Sequence, residues 1–349
     1  MHPAPCLPCT PEDSILLESA AEVMRNNPLG WSEGTSVSVD FDDVRAAAAR
    51  IEGIVAHTPI LTSLALDSLA GRRLFFKCEN LQHVGAFKFR GASNALAILG
   101  DQAKDGICTH SSGNHAQAVA LAAKQRGVPA YIVMPSTAPR VKVDGVRSHG
   151  AEITFCEPTL EARETTAAAV MERTGATFVH PFDDERVIAG QGTAALEMIN
   201  ETGPLDAVIT PVGGGGLLSG TCITTRKLLP KARLFGAEPK GADDAARSLI
   251  AGELIPQTGP NTICDGLLTS LCELTFGILK ENLESIITVS DEDVLAAMKL
   301  LQEHLDIIVE PSGATVLAAV LTEEFRALKD IDSIGLVISG GNLDPEMLP

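Results

Sequence analysis

Short apolar runs alternate along this chain with segments of helical period. Aliphatic and β-branched runs recur at Leu74–Cys78, Ile107–His110, Ala130–Met134, Ile153–Cys156, Phe178–His180, Ala207–Val212, Leu234–Ala237, Ile286–Val289 and Ile334–Ile338. Helical patterns at Ala116–Arg126, Leu160–Thr174, Thr193–Glu201 and Glu292–His304 separate them. Nearly continuous apolar strands alternating with helices predict an α/β fold whose parallel sheets are covered on both faces. In such sheets ligands bind beyond the carboxyl ends of the strands. An earlier helix is predicted to start after Ser38 or Asp40, either of which can cap it, and to run through Val44–Ile51. Residues 1–38 are rich in Pro, Ser, Asn and Gly and read as a flexible extension with one short helix at Ile15–Arg25. No internal repeat is visible and no linker marks a domain boundary. The expected division puts 39–105 and 184–349 in a large domain and 106–183 in a small one.

Composition narrows the partners. A chain of 349 residues exceeds the usual size of one core. Aromatic residues make up only 4%, so the core must be built mainly from Ala, Val, Leu and Ile. The net charge of −18 disfavours nucleic acid and anionic membrane surfaces, leaving a small soluble ligand. No apolar run reaches transmembrane length. The eight cysteines mostly fall in predicted core elements, as reduced cytoplasmic proteins use them. Cys6 and Cys9 form a lone CxxC, but zinc would need a second ligand pair and none is evident.

The candidate chemistry begins at Gly85-Ala86-Phe87-Lys88-Phe89-Arg90-Gly91-Ala92. Lys88 stands among small and aromatic residues, so it is expected to be partly withdrawn from water. Desolvation lowers a lysine pKa and makes the amine a nucleophile or base near neutrality, suited to a Schiff base with a carbonyl compound or pyridoxal phosphate (PLP). The plainer alternative is a helix-start lysine with a buried stem and a wet head. Three loops that follow strands bear on the choice, the first two of them opening helices. Val212-Gly213-Gly214-Gly215-Gly216-Leu217 can turn several backbone N–H groups toward one phosphate at a helix N-terminus. It lacks the lysine of a Walker loop and the spacing of a dinucleotide turn. His110-Ser111-Ser112-Gly113-Asn114-His115 gathers hydroxyls, an amide and N–H groups, a seat for a carboxylate, although simple N-capping would explain one of them. His115 is read as structural. Ser339, in Ser339-Gly340-Gly341-Asn342, can hydrogen-bond a heteroaromatic nitrogen or can simply belong to a turn.

Together these residues resemble the fold type II PLP enzymes, and within them the serine racemase and serine/threonine dehydratase group, from about residue 45 to 343. The resemblance implies a tryptophan synthase β-like fold with two open, twisted, mostly parallel sheets flanked by helices. It implies that Lys88 binds PLP covalently with Phe87 stacked beneath the ring. It also implies that Asn114 contacts the 3-hydroxyl, that Gly213, Gly214, Gly215, Gly216 and Leu217 hold the phosphate, and that Ser339 faces the pyridine nitrogen. Ser111, Ser112, Asn114 and Arg163 would bind substrate. Threonine dehydratases carry alanine where this chain has Ser112; in serine racemases that serine is the acid/base opposite the lysine. The implied reaction is interconversion of L- and D-serine with accompanying elimination to pyruvate and ammonia. The alternative is a dehydratase of L-serine, L-threonine or threo-3-hydroxyaspartate without racemisation. A reading from another class is a non-catalytic amino-acid or phosphate sensor.

The resemblance extends to effectors. Glu238, Asp244 and the carbonyl of Ala242 match a divalent-cation site, and such hard oxygen ligands suit Mg²⁺ or Ca²⁺, with Mn²⁺ a further candidate. Gln117 and Asn342 match residues of an ATP site at a homodimer interface. Animal racemases have lysine at the position of His83 and tyrosine at that of His149, so ATP activation is in question. Phe182 stands where animal racemases have asparagine and many dehydratases have phenylalanine. The chain ends soon after Asn342, so a feedback-regulatory domain is not expected.

Overall fold

The computed structural model describes residues 39–111, 113–138 and 140–343. Ser112, the 1–38 extension with its expected helix, and Cys6 and Cys9 lie outside the described residues. Helix α1 (Phe41–Ile51) starts at Asp40, whose carboxylate caps the N–H groups of Asp42 and Asp43. Strand β1 (Ile60–Leu61), α2 (Leu64–Ala70) and β2 (Arg73–Cys78) lead to α3 (Lys88–Leu99). The next stretch runs β3 (Ile107–His110), α4 (Asn114–Arg126), β4 (Ala130–Pro135), α5 (Arg140–Ser148), β5 (Glu152–Cys156), α6 (Leu160–Thr174) and β6 (Thr177–Phe178). Helix α7 (Glu185–Thr202) then precedes β7 (Ala207–Pro211), α8 (Gly216–Leu228), β8 (Arg233–Pro239) and α9 (Asp244–Ala251). Last come α10 (Glu273–Asn282), β9 (Ser285–Val289), α11 (Asp291–Leu305), α12 (Pro311–Leu321), α13 (Glu323–Arg326) and β10 (Ser333–Ile338).

Two sheets result. One has the order β1-β2-β10-β7-β8-β9, the other β5-β4-β3-β6. Every pairing is parallel except β1 with β2. Successive side chains of a strand point to opposite faces, so a strand covered on both sides must be apolar throughout. Ile209, Phe235, Leu336 and Ile338 accordingly join the core on one face of the larger sheet, while Val208, Leu234 and Val337 join that on the other. In the smaller sheet Ile107 and Ile132 face one cluster, and Cys108 and Val133 face another.

The fold class matches the sequence expectation, with shifts at element ends. The run expected over Phe178–His180 pairs only at Thr177–Phe178, because His180 turns back to accept the N–H groups of Phe182 and Asp183. Helix α7 starts eight residues before the expected Thr193, where Asp184 caps it through Arg186 N–H. The loops after β2, β3, β7, β8 and β10, which hold most of the candidate residues, all lie at strand carboxyl ends.

Candidate active site

Lys88 opens α3, and the backbone before it is forced into shape. Gly85 has φ +68°, and Val84 has φ +55°, a conformation that costs a β-branched residue energy. The turn is stitched to the loop after β10: Phe87 N–H donates to Ser339 O at 3.0 Å, and Ala86 bridges Gly340. Lys88 Nζ donates to Pro181 O at 2.9 Å and lies 5.0 Å from the centroid of the Phe87 ring. Burial pushes its pKa down to about 8, opposed in part by the charge of Glu310. A lysine shifted this way has more of the neutral, nucleophilic amine near neutrality than an exposed one.

The neighbouring residue Phe182 ties Lys88 to the glycine loop. A Cβ on Gly214 would lie 2.2 Å from Phe182 Cδ1, and one on Gly216 would lie 3.0 Å from Phe182 Cβ. Gly215 adopts φ +85° at the start of α8, a helix with no side-chain cap. The loop from Gly213 to Leu217 is buried. A helix N-terminus whose free N–H groups have no cap, behind a loop where side chains do not fit, suits a phosphate.

Asn114 begins α4 and is held at both ends of its amide. Its Nδ2 donates to Glu310 Oε1 and Oε2 at 2.9 and 3.1 Å, and its Oδ1 accepts from Asn342 Nδ2 at 2.8 Å. Asn342 Nδ2 also donates to Val84 O at 2.7 Å, linking Asn114 to the strained turn before Lys88. Glu310 is a site residue that the sequence reading missed. Burial, then the charge of Asp265, pushes its carboxyl up to about 7. Its signal was Glu310-Pro311, a helix start with proline in the first turn.

Three histidines wall the same region: His115, which the sequence reading took as structural, and His110 and His180, to which it gave no role. Burial drives His110 down to about 4, His180 to about 3 and His115 well below its ordinary value. Burial thus favours the neutral form of each, and the His180 ring stands edge-on to Phe182 with centroids 4.6 Å apart. Ser111 Oγ accepts Gly113 N–H at 3.3 Å. Arg163 Nε donates to Thr159 O at 3.3 Å, and its charge reaches His110 rather than Lys88.

The expected cation ligands lie on the loop after β8. Glu238 accepts the N–H groups of Ala245 and Ala246 at 3.0 and 2.9 Å, at the start of α9. Both Asp244 carboxylate oxygens are buried without a hydrogen bond, although the peptide N–H groups of Asp244 and Leu271 lie close enough to favour its charge. Burial pushes Glu238 up to about 8 and Asp244 up to about 6. Among the described residues no three His, Cys, Asp or Glu side chains form a metal cluster. Two desolvated carboxylates, one with both oxygens unpartnered, nevertheless offer the hard oxygen chemistry that a divalent cation takes. Of the nucleotide candidates, Gln117 packs against Gly145, whose Cβ would sit 2.9 Å from its Oε1, while the Asn342 amide is already engaged.

Residues 51–340 match the family model described as pyridoxal-phosphate dependent enzyme. The chain belongs to this family. Among its relatives, a serine racemase of Dictyostelium discoideum is 51% identical over 310 residues, covering 88% of this chain and 96% of the relative. A beta-hydroxyaspartate dehydratase of Paracoccus denitrificans (strain Pd 1222) is 49% identical, covering 88% and 98%. The crystal structure of the Dictyostelium serine racemase matches with a TM-score of 0.85, covering 88% of this chain and 99% of that one. Membership makes this a PLP-dependent enzyme, and the half-buried amine, uncapped helix and glycine loop fit that cofactor.

Proposed function

We propose that this PLP enzyme is a serine racemase that also eliminates water from serine. The observation that carries the reading is Lys88, a half-buried amine with its pKa brought down to about 8, beside an uncapped glycine-lined helix start. Identity of 41–51% to proteins named serine racemase supports the choice of substrate. PLP, held covalently at Lys88 with its phosphate on Gly213 to Leu217, would supply the electron sink that makes an α-proton removable. Phe87 would stack beneath it, and Asn114 and Ser339 would hold its ring substituents. Ser111, Ser112, Asn114 and Arg163 would seat the substrate carboxylate. Lys88 Nζ takes the proton from Cα of L-serine on one face. Ser112 Oγ delivers a proton to the opposite face, giving D-serine. When the β-hydroxyl departs as water instead, the aminoacrylate released takes up one water and gives pyruvate and ammonia.

The cation belongs to the same proposal: Glu238, Asp244 and the Ala242 carbonyl would hold Mg²⁺, with Ca²⁺ or Mn²⁺ as substitutes, away from the reacting atoms. An ATP effector would meet Gln117 and Asn342, and with histidine at positions 83 and 149 its effect is expected to be weak. We take the enzyme to be a cytoplasmic homodimer. The six cysteines among the described residues are free thiols, which supports a reducing compartment. Among the described residues no helix is long and apolar enough to cross a membrane.

A second reading, a dehydratase of L-serine, L-threonine or threo-3-hydroxyaspartate, rests on the 49% identical beta-hydroxyaspartate dehydratase. The test is a panel of these amino acids assayed for chirality and keto-acid release, with and without Mg²⁺. Appearance of D-serine from L-serine supports the racemase. Keto acid without the antipode at any pH supports the second reading.

A further inference from the structure

Behind the Lys88 helix lies a buried charge cluster that the proposed reaction does not use. Arg90 is fully buried. Its Nε and Nη2 donate to Glu79 Oε2 and Oε1 at 2.7 and 2.8 Å, and its Nη1 and Nη2 donate to Glu197 Oε1 and Oε2, both at 2.7 Å. Thr193 Oγ1 accepts from Nη1 at 3.2 Å. Lys77, also fully buried, donates to Thr58 O at 2.7 Å and pairs with Glu197 at 2.6 Å. Thr58 Oγ1 donates to Glu79 Oε1 at 2.5 Å. Two cations thus meet two carboxylates drawn from β2, the turn after it, α3 and α7.

Helical geometry gives this cluster a consequence at position 88. Residues two apart on an α-helix lie about 200° apart around its axis, so Lys88 and Arg90 point to nearly opposite sides of α3. One side chain faces Pro181 and the other faces Glu79 and Glu197. Turning the first helical turn by about 10° would move a side-chain tip 5–6 Å from the axis by about 1 Å. An error of about 1 Å in a reacting group costs on the order of 10²-fold in rate. Rotation would break two bidentate guanidinium–carboxylate pairs, whose fork geometry is specific to arginine. Gly91 tightens the same seat: its N–H donates to Gln191 Oε1 at 3.1 Å, and a Cβ on Gly190 would lie 2.7 Å from Gly91 Cα.

We propose that Arg90 is a positioning residue, clamped between Glu79 and Glu197, that sets the angle of the α3 helix and so the place of the Lys88 amine. The inference rests on the reading of Lys88 as the cofactor-bearing base. Lysine at position 90 would keep the charge but lose the fork. In Arg90→Lys, kcat for serine is expected to fall on the order of 10²-fold with KM changed by less than about threefold, because the carboxylate seat lies on other elements. The pH dependence of amine labelling in cofactor-free protein should show the Lys88 pKa rising from about 8 toward its ordinary value. A merely structural role would lower the melting temperature and leave that pKa in place. Should Arg90→Lys not fold, Glu197→Gln keeps the shape and one acceptor, and a loss of about tenfold with the same pKa rise is expected. A folded variant with unchanged kcat and unchanged Lys88 pKa overturns the inference, as does a loss that follows only the unfolded fraction. Borohydride reduction of wild-type holoenzyme separates the two claims: label away from Lys88 sinks the site reading, while label on Lys88 with unchanged variants sinks only the role of Arg90.

Discussion

Removing a divalent cation should destabilise this enzyme more as pH rises. Glu238 is fully buried and its carboxyl is pushed up to about 8 from 4.5, chiefly by burial. A carboxyl whose folded pKa exceeds its unfolded value favours the protonated fold. It costs nothing below about pH 4.5, costs progressively more as pH rises to about 8, and is constant above that. The shift of about 3.5 units corresponds to a penalty on the order of 5 kcal/mol at alkaline pH. Asp244, pushed up to about 6, adds a smaller penalty that is complete by about that pH. A cation would replace the protons on both groups, so its affinity should rise over the same window. At a hundred times its Kd it would stabilise by about 2.7 kcal/mol. In a chain of this size that is roughly 5 °C in apparent melting temperature, at about 2 °C per kcal/mol. The assay is thermal unfolding in EDTA and in excess Mg²⁺ at about pH 5.5, 7 and 8.5. The Mg²⁺ increment should be small at the lowest pH and largest at the highest, and it should vanish in a Glu238→Gln/Asp244→Asn variant. An increment equal at all three pH values, or one that survives the double substitution, refutes the assignment.

Other outcomes follow from the same geometry. Ser112→Ala should lose racemisation by at least about 10²-fold while elimination from L-serine stays within a few-fold, since only one face loses its acid/base; chiral chromatography and a pyruvate assay read the two. Gly214→Ala places a Cβ 2.2 Å from Phe182. Overpacking of about 1–3 kcal/mol should weaken PLP retention by about ten- to a hundredfold, measured by equilibrium dialysis. Glu310, pushed up to about 7 by burial and by Asp265, should give a step near pH 7 in the kcat/KM profile that Glu310→Gln removes. Lys142 on α5 pairs with Asp265 beside Leu267, which backs Gly213; Lys142→Met should leave the melting temperature within about 1 °C, as exposed pairs contribute little.

Local pattern carried much of the fold because the strands are covered on both faces. Ile107–His110 and Leu160–Thr174 have the bounds expected of them, and the other main strands differ by two residues or fewer at either end. Helix α12 went unread for a physical reason: Pro311 through Val320 are all buried, so the segment has no polar face to give a period. Strand β1 is two residues long and carries no alternation. The loops of Lys88, Asn114, Gly213 to Gly216 and Ser339 were legible because each follows a strand and carries unusual small or polar residues. Arg90 and Glu310 were not. A charged residue next to a reactive lysine reads as solvated, and only the fold brings Glu197 to Arg90 across 107 positions and Glu310 to Asn114 across 196.

The central claim is that one amine, that of Lys88, carries PLP. The most direct measurement is borohydride reduction of cofactor-loaded protein followed by peptide mapping. A phosphopyridoxyl label on Lys88 alone is expected, stoichiometric with the chain and absent in Lys88→Ala. A label on any other lysine, or full labelling that persists in Lys88→Ala, contradicts it.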